Sequence, residues 1–416
     1  MLIRRLGGGF SANFWKLWAS SVSSNLADGV MTVALPLIAV SLTTSPAAVA
    51  GVSAAGIAPS LLFGLLAGGL ADRLDRRWTM LAVQVVRLAV LAALTLLALG
   101  GALSMPVLYV AAFVWGSAET FFDTNAQSII PDLVGRDRLV AANGRLYAAE
   151  TVMNSFVGPP LGGLLVAASI PLALAGSTAG YAIAAIGLLA LRGAFRPERA
   201  GPQRHLAAEI GEGMHYLATH RLLATLTGLV AAGRLGSGMA FAIFALYAVA
   251  PGPMGLTEAG YGVLFTMFGI GSLIGSFLAA PLVSRFGRAG VLGLAQLTFG
   301  LTLAIPAFTP DAILVGASFL VSGVSVMAWN ITNVSLRQAL VPPRLLGRVH
   351  ATHRFVANVA GLSGALLAAF IGEAIGLEAV FAVGASVVLA SLAGRLIVTE
   401  ARIAAAELEG GVQRPS

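Results

Sequence analysis

The chain contains no cysteine and little charge. Its 416 residues include 25 Lys or Arg and 18 Asp or Glu, which together make 10% of the sequence, whereas hydrophobic residues make 57%. An average soluble domain carries roughly 25% charged residues. The absence of cysteine excludes disulfides, thiolate catalysis and cysteine-ligated metal sites. The composition therefore indicates a membrane protein.

The chain also lacks the motifs of nucleotide use and of hydrolysis. Its one lysine, Lys16, follows no glycine-rich phosphate loop, so ATP cannot drive transport from this chain. It has no HExxH zinc motif and no nucleophile elbow. We therefore expect a protein that is not an enzyme and that uses no cofactor and no metal ion.

The basic residues are distributed in a regular pattern. Twelve apolar runs follow one another, and 21 of the 25 basic residues lie before the first run, between alternate runs, or after the last. Basic loops are retained on the cytoplasmic side of a membrane. The pattern predicts an all-α membrane protein with twelve transmembrane helices and both termini in the cytoplasm. Because the cations are spread over seven loops, the net charge of +7 indicates topology and not a nucleic-acid interface.

The apolar runs also predict where each span lies. Spans of about 20 residues joined by short turns fit helices, and the runs do not alternate as transmembrane β-strands do. We place the spans at residues 18–42, 47–70, 79–100, 106–128, 141–167, 172–192, 222–249, 259–283, 290–307, 312–336, 349–373 and 380–398.

The longest cytoplasmic gap divides the chain into two sets of six spans. We predict an N-terminal bundle over residues 1–192, a linker with an amphipathic helix over 193–220, and a C-terminal bundle with a cytoplasmic tail over 221–416. The linker helix has an apolar stripe of Leu206, Ile210, Met214 and Leu217. Such a helix can lie along the membrane surface or pack on the protein's own cytoplasmic face, and both interpretations stay open.

The two sets of spans look like copies of one another. Three pairs of positions match at offsets of 208 to 212 residues: Asp72-Arg73 with Ser284-Arg285, Thr124-Asn125 with Thr332-Asn333, and Arg145 with Arg354. Two similar halves form the architecture of a rocker-type secondary transporter, whose substrate site lies between them. We therefore expect two pseudo-symmetric six-helix bundles around a central cavity.

Charged residues inside the predicted spans are the candidate functional groups, because each costs several kcal/mol in hydrocarbon unless it is paired or faces water. They are Asp28, Arg87, Glu119, Asp123, Arg145, Glu150, Arg234 and Arg354. Asp28 lies near mid-membrane, and Glu119 and Asp123 share one helix face. The carboxylates can carry protons or serve as static partners of the arginines. We take Asp28, Glu119, Asp123, Glu150 and Arg234 as the candidate proton-coupling and substrate residues.

The charges near the cytoplasmic ends of spans favour a different role. Arg145 and Arg354 lie early in spans five and eleven, where gating or helix packing is expected. His350 and His353 lie at the same end of span eleven. A pH-sensing role and plain interfacial packing both stay open for these two histidines.

The segment between spans two and three carries a known signature. Gly68-x-x-x-Asp72-Arg73-x-x-Arg76-Arg77 resembles the signature of the major facilitator superfamily, with Asp75 where a glycine is expected. The resemblance covers essentially the whole chain. It implies that Asp72 latches a cytoplasmic gate formed with Gly68, Arg73, Arg76 and Arg77. The alternative is that Asp72 and Asp75 cap span three.

A second element lies in span five. Gly158-Pro159-Pro160-Leu161-Gly162-Gly163 resembles the GPxxGG element of drug–proton antiporters in the same superfamily, with Asn154 where an upstream glycine is expected. Prolines kink a helix and glycines allow close packing, so Gly158, Pro159, Gly162 and Gly163 are candidate hinge residues. Asp28-Gly29, Pro131-Asp132-Leu133-Val134 and Gly347-Arg348-Val349-His350 resemble the branch of macrolide and enterobactin exporters.

The sequence thus predicts a secondary transporter that exports small amphipathic compounds, drug-like, macrolide-like or siderophore-like, in exchange for protons. We expect a multi-pass monomer in the inner (plasma) membrane of a bacterium, with a small molecule, protons and the lipid bilayer as partners and no nucleic acid. A proton-coupled nutrient importer on the same fold is the first alternative. A non-transporting scaffold or sensor is the second, although it leaves the charges inside the spans unexplained.

Overall fold

The computed structural model describes residues 10–71, 74–135, 138–193, 195 and 206–409, which are almost entirely helical. The helices of the first half are α1 (Ala12–Leu42), α2 (Pro46–Ala71), α3 (Arg76–Leu99), α4 (Met105–Leu133), α5 (Leu139–Glu150), α6 (Gly158–Ala168) and α7 (Ile170–Leu189), with a π-helical segment (Thr151–Val157) between α5 and α6. The remaining helices are α8 (Leu206–Thr219), α9 (Arg221–Ala248), α10 (Glu258–Phe308), α11 (Ala312–Leu340), α12 (Pro343–Ala374), α13 (Leu377–Ala390) and α14 (Glu400–Glu409).

The helices that can cross a membrane confirm the predicted fold class. Eleven helical stretches among the described residues are long and apolar enough to span a bilayer. The longest, α10, has 51 residues and contains two helices that meet at Gly287, whose φ is 72°. A helix of that length is about 77 Å long, more than twice the ~30 Å of a hydrocarbon core. α10 therefore supplies spans eight and nine, and the described chain has twelve spans.

One predicted boundary is wrong in a way that matters for function. The sequence places Arg337 in the loop after span ten, because the apolar run ends at residue 336. The structure places Arg337 inside α11, where only 6% of the residue is exposed. Apolar runs mark the hydrocarbon region, whereas backbone hydrogen bonds decide where a helix ends. A polar side chain can therefore continue a helix and face the protein interior.

Capping residues fix where several spans begin. The Asp75 carboxylate accepts hydrogen bonds from the backbone N–H groups of Arg77 and Trp78 at the start of α3, and from Phe195 at 3.2 Å. Asp311 caps α11 through Ile313 and Leu314 in the same way. An aspartate satisfies amide groups that a helix start leaves unpaired. Asp75, which replaces the expected glycine of the signature, thus caps span three.

The first compact unit comprises the described residues of Met1–Thr43, Ala55–Pro202 and Thr257–Thr266. Its main apolar core is formed by Phe14, Leu17, Met80, Phe122, Ile129, Leu188 and their neighbours. Residues 257–266 belong to this unit because Gly262, near the start of α10, contacts the backbone of Pro159 and Pro160 in α6. A glycine on each side lets the two helix backbones approach closely.

The second compact unit comprises the described residues of Thr44–Ala54, Gln203–Leu256 and Met267–Ser416. Its main core contains Leu222, Leu223, Leu226, Leu292, Leu336 and Val349. The start of α2 belongs to this unit through Glu373 at the end of α12. The Glu373 carboxylate accepts hydrogen bonds from the Ser45 hydroxyl at 3.0 Å and from the Ala47 amide at 3.3 Å. The domain boundaries drawn from the sequence stay a prediction.

The linker helix α8 packs on the second unit. Leu217 is buried in the core of that unit, Gly213 lies against the backbone of Arg348 in α12, and Glu212 forms an ion pair with the Arg348 side chain. Met214 stays exposed. Of the two interpretations of this amphipathic segment, packing on the protein's own surface is therefore the one seen for residues 211–219.

The C-terminal helix α14 braces the turn between spans eight and nine. The Glu400 carboxylate accepts a hydrogen bond of 2.6 Å from the Ala289 amide, and Glu407 forms an ion pair with Arg288. The second unit therefore caps span nine with an acid from a distant helix, whereas the first unit caps span three with the local Asp75.

Candidate functional site

The first unit holds a buried charge pair between α1 and α3. Asp28 is 8% exposed and lies at the middle of α1, and its Oδ1 atom is 3.4 Å from Nη1 of Arg87 in α3, which is 1% exposed. The Tyr181 hydroxyl of α7 donates a hydrogen bond of 2.6 Å to the same carboxylate oxygen. One anion and one cation thus neutralise each other, as charges inside a membrane require.

Three further side chains complete this group. The Ser24 hydroxyl, one turn before Asp28, accepts hydrogen bonds from Gln84 at 2.9 Å and from Arg87 at 3.4 Å. The Trp115 indole of α4 donates to the Tyr181 hydroxyl at 3.0 Å. We call Ser24, Asp28, Gln84, Arg87, Trp115 and Tyr181 the Asp28 cluster. The cluster therefore joins four helices, α1, α3, α4 and α7, through polar contacts.

A void that borders the Asp28 cluster is too small for a substrate. The void beside Arg87 and Trp115 is lined by Met31, Leu35 and other apolar residues and measures about 10 Å³. A single water needs about 10 to 15 Å³. By volume this void holds one water at most, so it cannot hold an organic molecule.

Glu119 lies next to the Asp28 cluster on α4. Trp115 donates to Tyr181, and the Phe122 ring lies 5.4 Å from the Arg87 guanidinium carbon. Residues 115, 119 and 122 follow helical spacing, so half-buried Glu119 shares the face of α4 that contacts the cluster. Glu150 is instead exposed, at the end of α5. The side chain of Asp123 lies outside the described residues.

The glycine-rich element of span five packs against span one beside Asp28. A Cβ atom on Gly158 would lie 2.6 Å from the Cα of Gly29, and one on Gly162 would lie 2.6 Å from the Val30 carbonyl oxygen. Pro159 is buried in the same helix, and Gly163 faces the backbone of Glu258 in the first unit. The close packing expected of this element is present, and its role as a hinge stays a prediction.

We expect Gly162→Ala to destabilise the protein, because its new methyl group would overlap backbone atoms of α1 that cannot rotate away. Overpacking of this kind costs about 1 to 3 kcal/mol. Gly144→Ala, in α5 of the same span, is the matched control. A Cβ there meets nothing within 4 Å, so this variant gains helix propensity without a clash. Thermal denaturation of the purified variants in detergent measures the difference, and equal melting temperatures would refute the packing role.

Three of the predicted gating residues, Arg76, Arg77 and Arg145, have partners within the first unit. Arg76 forms an ion pair with Asp132 at 2.6 Å, and Arg77 donates to the carbonyl oxygens of Leu188 and Leu189 at the end of α7. The Arg145 guanidinium lies 4.6 Å from the centre of the Phe10 ring. Asp72 and Arg73 lie outside the described residues, as does the environment of Gly68 within α2.

The second unit contains a cavity of about 410 Å³ that we call the basic cavity. Two predicted site residues, Arg234 of α9 and Arg354 of α12, line it. They are joined by Arg337, His350 and His353, and by the aromatic side chains of Phe241, Phe268, Phe299 and Trp329. The structure thus places Arg234 and Arg354 in the second unit's cavity and Asp28 in the first unit's charge pair.

Sequence reasoning missed three polar residues of the Asp28 cluster. Tyr181, Trp115 and Gln84 carry no charge, so a search for charges inside spans passes over them. A usable signal was present in α1, where Ser20, Ser24 and Asp28 recur every four residues and so lie on one face. Ser20 donates to the Ala184 carbonyl of α7 at 2.8 Å, on the helix that also provides Tyr181.

Twelve helical spans with charges buried inside two compact units define a membrane transporter. The chain matches the family described as transmembrane secretion effector over residues 10–412. It belongs to this family of the major facilitator superfamily.

Several known proteins resemble the chain. The multidrug efflux pump Tap of Mycolicibacterium fortuitum is 29% identical over 380 residues, which cover 87% of this chain and 90% of Tap. Macrolide efflux protein A of Streptococcus pyogenes is 22% identical over 90% of this chain and 93% of its own length. The crystal structure of the nucleoside transporter NupG has a TM-score of 0.72 at 15% identity and covers 94% of this chain and 100% of NupG. This last likeness concerns the fold.

Proposed function

We propose that the protein exports small amphipathic compounds from a bacterial cell in exchange for protons. Similarity to proteins named as multidrug and macrolide efflux pumps supports the direction of transport and the class of substrate. The basic loops support a place in the plasma membrane with both termini in the cytoplasm. One chain carries both sets of six spans, so the monomer is the proposed working unit.

The Asp28–Arg87 pair is the observation that carries the proposal of proton coupling. Its atoms are 3.4 Å apart in a site that is almost closed to solvent, and the Tyr181 hydroxyl donates to the same oxygen. Charges at this distance attract each other by several kcal/mol even in a moderately polar protein. Uptake of one proton by Asp28 removes that attraction and weakens the contact between α1 and Arg87. A single proton can therefore change how α1, α3 and α7 hold together.

This change can be coupled to alternating access. In the outward-facing state Asp28 takes a proton from outside, and in the inward-facing state it returns the proton to the cytoplasm and pairs with Arg87 again. α6 contacts α1 at Gly29 and Val30, so a movement of α1 at Asp28 also displaces span five. Glu119 is the second candidate carrier, because it lies on the α4 face that touches the cluster. Glu150 and Asp123 follow it.

The superfamily signature completes the proposed cycle on the cytoplasmic side. Gly68, Asp72 and Arg73 are proposed to close the gate while the transporter faces outward. Arg76 and Arg77 tie the start of α3 to α4 and α7 in the first unit, which supplies a rigid support for such a gate. Arg145 contributes to the same end of the unit through Phe10.

Inverted membrane vesicles test the proposed function. Vesicles with and without the protein are loaded with acid inside and offered ethidium, erythromycin and pyrenebutyrate, which are cationic, macrolide and anionic probes. We expect at least one probe to accumulate only in vesicles that contain the protein and only while the proton gradient lasts. A protonophore should release the probe, whereas ATP should have no effect. Uptake that survives the protonophore, or proton-driven loss of probe from the vesicles, would contradict a proton-driven exporter.

A further inference from the structure

The described charged side chains that line the basic cavity are all positive. Arg234, Arg337 and Arg354 enter it from α9, α11 and α12, and no carboxylate is among the described side chains that line it. Arginine stays protonated under all physiological conditions. Three permanent positive charges therefore share a space of about 410 Å³ inside the second unit. Like charges this close repel one another unless a ligand brings negative charge.

Arg337 is a buried residue of the cavity whose guanidinium lacks hydrogen-bond acceptors at two of its nitrogens in the described part of the chain. Only 6% of Arg337 is exposed, and its Nε and Nη1 atoms have no hydrogen-bond partner among the described residues. A buried guanidinium without acceptors is costly, because it loses its hydration without replacement. The indole N–H of Trp329 is also buried without a partner on the same cavity wall. The Nε and Nη1 N–H groups of Arg337 and the indole N–H of Trp329 are thus donors without an acceptor among the described residues.

The two histidines of the cavity lie among these arginines. His353 lies within electrostatic range of Arg337, His350 and Arg234, and its Nδ1 atom is 3.2 Å from the Thr227 hydroxyl. His350 lies within range of Arg337 and Arg354. Apart from Thr227, these neighbours are basic, and none of them is a counter-ion.

The rest of the wall suits an apolar body. Phe241, Phe268, Phe299 and Trp329 line the cavity together with Val230 and Val326. Aromatic faces contribute large contact areas at little cost in conformational entropy. The volume of about 410 Å³ lies in the range of small-molecule sites. The cavity therefore combines anion recognition with an apolar lining.

We infer that the basic cavity binds the anionic group of an amphipathic ligand, a carboxylate, phosphate or similar oxyanion, with Arg337 as its main partner. The inference rests on the proposed function and deepens it, because it assigns negatively charged amphiphiles as the substrate class. The Asp28 carboxylate is already neutralised by Arg87, so it offers no free anion to attract cations. Export of an anion is also favoured by the inside-negative potential of a bacterial cell.

A pair of probes with one body and two head groups tests the inference without any proton gradient. Pyrenebutyrate carries a carboxylate, and pyrenebutanol carries a neutral hydroxyl on the same pyrene body. Binding of each to the purified full-length protein in a neutral detergent is measured by equilibrium dialysis. We expect pyrenebutyrate to bind about tenfold or more tightly, because a charge-assisted hydrogen bond contributes at least that factor.

Substitutions in the cavity and outside it locate the effect. Arg337→Gln and Arg354→Gln should each reduce the preference for pyrenebutyrate, whereas Arg337→Lys should retain part of it because the charge remains. Arg221→Gln is the matched control, since Arg221 is an exposed first residue of α9 outside the cavity. Equal binding of the two probes, or an unchanged preference in the folded Arg337→Gln and Arg354→Gln variants, would overturn the inference.

Two further experiments are needed. The first distinguishes a lipid head group from a soluble amphiphile as the source of the anion, and the second distinguishes anion binding from proton coupling. Phosphatidylglycerol added to the detergent should displace pyrenebutyrate if a lipid head group is the natural occupant, and should leave it bound if a soluble amphiphile is. In either case the anion site stands. Asp28→Asn should bind pyrenebutyrate like the unmodified protein while it fails to pump, so a failure of proton coupling is distinguishable from a failure of anion binding.

Discussion

Asp28→Asn is expected to abolish proton-driven accumulation of substrate while downhill exchange of substrate across the same membrane continues. Asparagine retains the size of the side chain and an oxygen that can accept from Tyr181, but it cannot carry a proton. The coupled reaction then loses its carrier, whereas a side chain that stays neutral, like the protonated carboxyl group, still permits the exchange of substrate. Accumulation in inverted vesicles should fall to the level of vesicles without the protein.

Two controls make this result specific. Asp311→Asn removes a carboxylate at the start of α11 and should transport normally, because asparagine caps a helix as well as aspartate. The double variant Asp28→Asn with Arg87→Gln removes both charges of the buried pair, so its loss of pumping cannot come from an unbalanced charge. Proton-driven accumulation by either Asp28 variant would remove Asp28 from the mechanism and leave Glu119 as the next carboxylate to substitute.

Much of the fold could be predicted because the membrane imposes simple rules on sequence. Apolar length identifies spans, and the position of arginine identifies the cytoplasmic loops. The structure confirms the all-helical, twelve-span fold, including the division of α10 at Gly287, where the sequence shows Arg285 and Arg288 on either side. The same rules failed at Arg337, because a buried arginine at the edge of an apolar run looks like a loop residue.

The candidate sites could be predicted only in part, because a site is made by contacts between distant segments. Asp28 stands out as a charge in the middle of a span, and Arg87 stands out for the same reason. Their partnership with Tyr181, 153 residues after Asp28, depends on how α1 and α7 pack. The basic cavity was even less predictable from the sequence, because Arg234, Arg337 and Arg354 come from three spans and no local pattern links them.

The local backbone of span five also lay beyond sequence reasoning. The prolines at positions 159 and 160 predict a disturbed helix, since they remove backbone donors. They do not predict that the disturbance takes the form of a π-helical segment over Thr151–Val157. Carbonyl groups of this segment, at Met153 and Asn154, lie against Gly29. Asn154, which stands where a glycine is expected, thus lies in a stretch whose backbone packs against Gly29.

Arg87→Gln is expected to destabilise the folded protein by about 3 to 5 kcal/mol, the usual cost of removing one partner from a buried ion pair. Asp28, of which only 8% is exposed, would keep the hydrogen bond from Tyr181 but lose the positive charge of Arg87. Adding Asp28→Asn should recover most of the loss, because the pair is then replaced by two neutral polar groups. The result expected is a strong positive coupling in a double-mutant cycle measured by thermal denaturation in detergent.

Arg221→Gln should leave the melting temperature unchanged, since that arginine is exposed. If the losses of stability in the two single variants simply add, Asp28 and Arg87 do not stabilise each other. A proton on Asp28 would then have no effect on the packing of α3.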